Sequence, residues 1–293
     1  MLTYGGYNKW DVIIDFHTHI ISPRLTRERD RLMARDKTFE ALFSNAKAVT
    51  ASCEDLISAM DHMGVSKSVV VGYGWCDPHI AKENNDYIID SANRFPGRLI
   101  PFCSVNPAWG CDAVQEIERC AELGIKGVGE FHPDTQGFVL SDMDTMSPVM
   151  DVARSHKLVV LTHSSEPLGH EYPGKGQTTP DVLARFINLF PENKIVAAHW
   201  GGGLPFYLLM PEVMQASRNL FFDTATSVFL YDSKVFSIGV EAAGADKILF
   251  GSDYPLVSQG RIIKDLRKNQ TNSDIQNLIL YKNACRLLGI PES

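Results

Sequence analysis

Four short stretches carry residues that could do chemistry together. In VIIDFHTHI an apolar run ends in His17 and His19. A strand has a period of two, so both imidazoles point to one side where the run gives way to a polar connection. Two converging ring nitrogens form a bidentate platform for a zinc-like ion, which holds nitrogen at roughly 2 Å. The arrangement recurs: KLVVLTHS places His163 after an apolar run, KIVAAHWGGG places His199, and DKILFGSDYP places Asp253. Each residue also has a plainer reading. His163 could be a core-edge histidine bonded to a carbonyl, and Asp253 a helix cap ahead of Pro255. His199 could serve a turn, with Gly201, Gly202 and Gly203 cradling an anion through exposed amides. That glycine run lacks the lysine and hydroxyl residue of a phosphate loop. Four of nine histidines and one aspartate, all closing β-rich runs, are hard to explain by packing alone.

Those residues meet only if the runs that carry them share one mouth. Apolar, β-branched runs at 12–16, 68–71, 99–104, 127–131, 158–162, 195–198, 220–223 and 248–250 alternate with stretches of helical periodicity, which is the parallel βα signature. The helices carry ordinary punctuation: Thr179 is placed to cap the one opening at Pro180, and Gly64, Gly124 and Gly244 stand where helices stop. Eight βα units predict one (β/α)8 barrel, a TIM barrel, spanning 1–293, because a barrel gathers all strand C-termini at one face. Two regions lie outside the repeat: a long charged connection at about 20–51 and a C-terminal helix at about 274–289. The first carries Arg24, Arg27 and Arg29, which could clamp a substrate carboxylate.

Less certain residues also fall at the expected mouth. Glu130, in GVGEFHP, closes the fourth run and points to the mouth if Val128 faces the barrel interior; it is a direct ligand or a supporting partner. His132 and His170 lie on mouth loops and could line a pocket. Trp75, Trp109 and Trp200 follow the second, third and sixth runs and could form an aromatic wall. His62 and His156 read as solvent or packing residues.

The 293 residues, 44% hydrophobic and 22% charged, supply a sizeable core and do not resemble a disordered chain. A net charge of -7 without a long basic stripe argues against nucleic acid as a partner. No apolar run reaches membrane-spanning length, and the opening MLTYGGYNKWDVIID has neither a basic segment before an apolar stretch nor a small-residue cleavage site, so a cytoplasmic protein is expected, with no membrane partner. Six scattered cysteines without a CxxC pair read as reduced thiols.

DFHTH, LTHS, AAHWGGG, FGSDYP and the terminal YKNACRLLG, in this order along nearly the whole chain, resemble the amidohydrolase superfamily. Within it they resemble the amidohydrolase-related branch that contains aminocarboxymuconate semialdehyde decarboxylase and the hydroxybenzoate decarboxylases. The resemblance implies a distorted barrel with metal at the strand C-termini, His17, His19, His163 and Asp253 as ligands, and His199 as a water-activating or proton-transferring residue. Binuclear members add a carboxylated lysine after the fourth strand; here Glu130 stands in that region, which argues against a lysine-bridged pair and leaves a carboxylate-bridged pair open.

One divalent ion, zinc first and manganese second, is therefore expected, with a small-molecule substrate and a homodimer left open. In hydrolysis the ion lowers the pKa of bound water towards 7, Asp253 accepts and returns the proton, and His199 steadies the oxyanion. In non-oxidative decarboxylation the same residues hold a carboxylate and protonate the carbon that loses carbon dioxide. A non-catalytic binding barrel is a third reading, disfavoured by the complete ligand set together with His199. A carboxylate at Glu130, unpaired at the mouth, would repel an acidic substrate, which favours hydrolysis of a neutral ester, amide or lactone over decarboxylation.

Overall fold

The computed structural model describes residues 12–292, so the ends of the 1–293 domain and most of the opening MLTYGGYNKWD lie outside the described residues. Eight parallel strands follow the chain in order: β1 (Ile14–His19), β2 (Lys67–Val71), β3 (Leu99–Cys103), β4 (Gly127–Phe131), β5 (Val159–Thr162), β6 (Ile195–Ala197), β7 (Leu220–Asp223) and β8 (Ile248–Leu249). Each pairs with the next. The sheet closes on itself: the Phe16 amide donates to the Phe250 carbonyl at 2.7 Å, Asp253 N to His17 O at 2.9 Å, and His19 N to Tyr254 O at 2.7 Å. This is a (β/α)8 barrel. No helix among the described residues is long and apolar enough to cross a membrane.

Alternation along the strands sorts two apolar layers. Ile14 and Phe16, Val69 and Val71, Val159 and Leu161, and Val196 and Ala198 fill the barrel interior. Ile13, Val70, Val160, Ile195 and Ala197 pack outward against the helices. The interior is sealed by Ala284, Cys285, Leu287 and Leu288 of the C-terminal segment. That segment is not one continuous helix: Ser273–Asn277 and Asn283–Leu288 flank a π-helical turn, Leu278–Lys282, in which the Ile279 carbonyl accepts from Phe250 N at 2.9 Å.

The remaining departures from expectation have local causes. A helix expected over 205–215 divides into a 3-10 segment, Leu204–Leu209, and an α-helix, Pro211–Ala216. Proline at 211 forces Met210 into extended backbone (φ -87, ψ 123). Gly64 ends its helix in the left-handed conformation (φ 72, ψ 25), and Gly124 also has positive φ (93). Gly244 instead has φ 90, ψ 136 and leads straight into a 3-10 turn. Thr179 occupies the cap position of the helix Pro180–Leu189, but its hydroxyl donates to Asp181 Oδ1 at 2.5 Å instead of accepting from a backbone amide.

The long first connection is built, not loose. Of three short helices, Pro23–Arg27, Arg29–Met33 and Lys37–Phe43, the first and third are capped by Ser22 and Asp36, whose side chains accept from Leu25 N and Phe39 N. Leu25, Leu32, Phe39 and Phe43 pack with Trp75 and Ile80 into a separate apolar cluster above the barrel.

Candidate metal centre and its cavity

Strict alternation does not deliver His17 to the mouth. With Ile14 and Phe16 facing inward, His17 would face out. The register between β1 and β2 slips between Asp15 and Thr18, and such a bulge re-aims the side chains beyond it. His17 and His19 then converge, their Nε2 atoms 3.0 Å apart. A second slip, between Val128 and Phe131 of β4, does the same for Glu130. Val128 packs in the outer layer, so the condition on which Glu130 was expected to face the mouth fails, and the bulge turns Glu130 inward instead. His163 follows plain alternation from Leu161, whereas Asp253 lies on a turn four residues beyond the end of β8. His199 sits on a turn with φ 55, and Trp200 (φ 57), Thr226 (φ 55) and Asp253 (φ 68) share this left-handed backbone. Strained non-glycine residues of this kind gather at functional sites.

The five expected residues and Glu130 surround one point. Asp253 Oδ1 lies 3.2 Å from His19 Nε2 and 3.8 Å from His17 Nε2. Glu130 Oε2 lies 3.5 Å from His17 Nε2 and 3.7 Å from His19 Nε2. Its other oxygen lies 3.1 Å from His163 Nδ1 and 3.6 Å from His199 Nε2, which are 3.2 Å apart. Two ligand groups, His17–His19–Glu130 and Glu130–His163–His199, thus share one buried carboxylate.

The second nitrogen of each ring decides what the first can do. His17 Nδ1 donates to Asp223 Oδ2 at 2.8 Å, and His19 Nδ1 donates to the Val71 carbonyl at 3.1 Å. A carbonyl and a carboxylate only accept, so both Nε2 atoms of the neutral rings present lone pairs to each other and to two carboxylates. Such a donor set calls for a cation, and the partner that fixes each ring is the support that metal-binding histidines need. Asp223 also accepts from His199 N at 2.9 Å. His199 Nδ1 meets Thr226 Oγ1 at 2.9 Å, while that hydroxyl donates to Ala225 O; Nδ1 is therefore the donor, and Nε2 faces the centre, as a lone pair in the neutral ring and as a donor in the protonated one.

Electrostatics agree. Burial alone would raise Glu130, but His17, His163 and His199 hold it well below the usual carboxylate range. Burial likewise opposes the charged form of Asp253, and His19 and His17 bring it down to about 2. Desolvation pulls His17 down, and Asp223 with Glu130 overcomes it and holds the ring well above its ordinary value. In His199 the same contest, won by Glu130 and Asp253, leaves the pKa at about 9. Buried carboxylates here hold positive charge on the imidazoles, which a divalent ion would supply in its place.

Above this floor opens a cavity of about 450 Å³ lined by His19, Glu130, His132, His163, His199 and Asp253, with Tyr73, Lys47, His170 and Tyr172 higher up. That size suits a small molecule. His132 and His170 are where the sequence puts them. Arg24, Arg27, Trp75 and Trp200 do not line the cavity. Arg24 pairs with Glu28 at 2.8 Å and with Glu83 on the outer surface, and Arg27 is exposed in the same helix. The Arg29 guanidinium donates to the Phe43 and Asn45 carbonyls. Trp75 is fully buried against Phe39, ring centroids 5.3 Å apart, and Trp200 packs on Phe236 in the outer layer, its N–H donating to Ser227. Both anchor layers that the mouth loops rest on.

The sequence reading passed over Asp223, Tyr73 and Lys47. Asp223 closes β7 as His163 closes β5, so the same signal was present. Tyr73 stacks on His19, centroids 3.9 Å apart and planes 15° from parallel, a contact without local signature. Lys47 reaches the cavity because the first connection folds over it.

Comparisons with known proteins agree with the barrel fold. The 2-amino-3-carboxymuconate-6-semialdehyde decarboxylase of Caenorhabditis elegans is 22% identical over a 380-residue alignment covering 99% of this chain and 90% of that protein. The fold matches 5-carboxyvanillate decarboxylase from Sphingomonas paucimobilis with a TM-score of 0.77 and 16% identity, over 96% of this chain and 100% of that one. It matches 5-carboxyvanillate decarboxylase from Novosphingobium aromaticivorans, complexed with manganese and 4-hydroxy-3-methoxy-5-nitrobenzoic acid, with a TM-score of 0.75 and 18% identity, over 97% and 98%. With a buried metal-ligating cluster at the mouth of this barrel and residues 14–290 matched by the model of the amidohydrolase family, the chain belongs to that family and is a metal-dependent enzyme.

Proposed function

We propose that the chain is a non-oxidative, metal-dependent decarboxylase of a small aromatic or dienoic carboxylic acid. The observation that carries the proposal is the surroundings of Glu130. Hydrolysis was favoured because an unpaired carboxylate at the mouth would repel an acid; Glu130 instead sits within 3.1 to 3.7 Å of four imidazoles, so its charge is matched locally and that order is reversed. The loop arginines are not needed for this, and the cation that reaches the cavity is Lys47. The three relatives described above, decarboxylases by name, support the same reading.

His17, His19, Asp253 and Glu130 would hold the ion, with His163 beside them; Glu130 has a second oxygen free to share with another ion toward His163 and His199. Manganese, present in the Novosphingobium enzyme, and zinc both suit nitrogen and carboxylate donors. A bound divalent ion would supply the positive charge that draws in a carboxylate and a neighbouring oxygen. His199 carries the transferred proton at Nε2, because Thr226 and Ala225 occupy Nδ1 and aim the other nitrogen into the cavity. That proton goes to the ring or diene carbon as its bond to the carboxylate breaks and carbon dioxide leaves, so charge and atoms balance without an oxidant. Asp253 stays ionised as one of the residues that would hold the ion.

The test is turnover by manganese-loaded protein on matched panels of aromatic and dienoic acids and of neutral lactones and amides. Carbon dioxide release from at least one acid, reduced in Glu130→Gln together with its metal content, is expected. Hydrolysis of a lactone or amide with no carbon dioxide from any acid would return the assignment to a hydrolase.

A further inference from the structure

His132 is 3% exposed, and neither of its ring nitrogens has a hydrogen-bond partner. Among the buried histidines of the mouth it stands alone in this: His17, His19, His163 and His199 each bond through at least one nitrogen. Buried polar groups in native proteins are almost always satisfied, and an orphan calls for an explanation such as a ligand.

The fold holds this ring in place with care. Its face lies on His163, centroids 4.3 Å apart and planes 13° from parallel. Its backbone amide donates to Gln136 Oε1 at 2.9 Å, and Gln136 Nε2 is itself tied to the Trp75 and Val105 carbonyls at 3.1 and 3.0 Å. Below, Gly74 passes so close that an added Cβ would stand 2.9 Å from both Glu130 O and His132 Cβ. Above, Gly174, with φ 86, packs over the ring edge, where an added Cβ would stand 3.6 Å from His132 Nε2, and both residues line the cavity.

We propose that His132 is a specificity-determining residue, whose neutral imidazole hydrogen-bonds a hydroxyl group on the substrate at a position away from the metal-bound carboxylate. This rests on the reading of the site as one for small carboxylic acids. A neutral imidazole offers one donor and one acceptor, and a hydroxyl matches that pair, whereas a second carboxylate, which only accepts, does not.

The experiment measures binding to manganese-loaded wild type, His132→Phe and His132→Gln by calorimetric titration, with metal content determined for each. Phenylalanine keeps a flat ring against His163 and removes both nitrogens; glutamine restores a donor and an acceptor. The probes are benzoate and its 2-, 3- and 4-hydroxy derivatives, with coumarin and its hydroxy derivatives as a neutral series. One hydroxylated probe is expected to bind wild type about 10- to 100-fold more tightly than its parent. That preference should fall below about threefold in His132→Phe and return in part in His132→Gln, with parent affinity and metal content unchanged. A preference that survives in His132→Phe overturns the proposal, as does loss of metal or of parent binding in both variants, which would make His132 a support for His163. If wild type binds no benzoate, the carboxylic-acid reading fails, and the neutral series decides His132 by the same criterion, with no hydroxyl preference in either series counting against it.

Discussion

At the floor of the cavity His17, His19 and His199 each have one nitrogen fixed by Asp223, Val71 or Thr226 and the other aimed at a shared point. At its rim Lys47 and His170 are exposed and come from connections between elements. Strand ends tie the floor to the barrel's hydrogen-bond ladder, so its geometry is set by the most stable part of the fold. The rim rests on short helices and turns that pack over the barrel as a separate apolar cluster. A rigid floor suits chemistry that needs fixed distances, and an adaptable rim suits selection among substrates.

Removing a floor residue should show the largest effect. His19→Ala is expected to weaken manganese binding by more than the roughly 10–100-fold that follows loss of a supporting partner, and Asp223→Asn, which leaves the ligands but unties His17, to fall within that range. Elemental analysis after dialysis, with turnover in parallel, gives both numbers. If His19→Ala kept wild-type metal content, the floor would not be the metal centre and the contrast would collapse.

An intermediate effect is expected in acid. His132 has a pKa of about 3 in the folded protein against an ordinary 6.5, so between these values the unfolded chain binds a proton that the folded one does not. Stability from this residue is complete above pH 6.5 and is lost as pH falls towards 3. Its contribution to the slope approaches one proton, about 1.4 kcal/mol per pH unit. Urea unfolding of chelator-treated wild type and His132→Phe from pH 6 to pH 4 measures it; equal slopes would mean that the ring is hydrated in solution.

The rim should respond least. Lys47→Met is expected to raise KM for an acid substrate by about two- to fivefold with kcat nearly unchanged, since an exposed charge is worth roughly 0.2–1 kcal/mol. Arg24→Ala, whose partners Glu28 and Glu83 lie outside the cavity, should change neither constant. A larger KM effect from Arg24 than from Lys47 would move the substrate's entry to the other side of the first connection.

Several things about this protein were determined by its sequence alone. The β-branched runs and their spacing dictated eight parallel strands, and the polar residues that follow them, His17, His19, His163, His199 and Asp253, marked one end of the barrel, because strand direction is a local property of the chain. Other features were decided only in three dimensions. The bulges in β1 and β4 that turn His17 and Glu130 inward are set by register against neighbouring strands. The four imidazoles around Glu130 come from three different strands or the turns after them, and their distances from it are set by how those strands pack. Lys47 reaches the cavity and Arg24 does not because the first connection folds as capped helices on Trp75. Charge and residue type can be read along a chain, whereas the partner that neutralises a charge is a matter of distance, which only packing fixes.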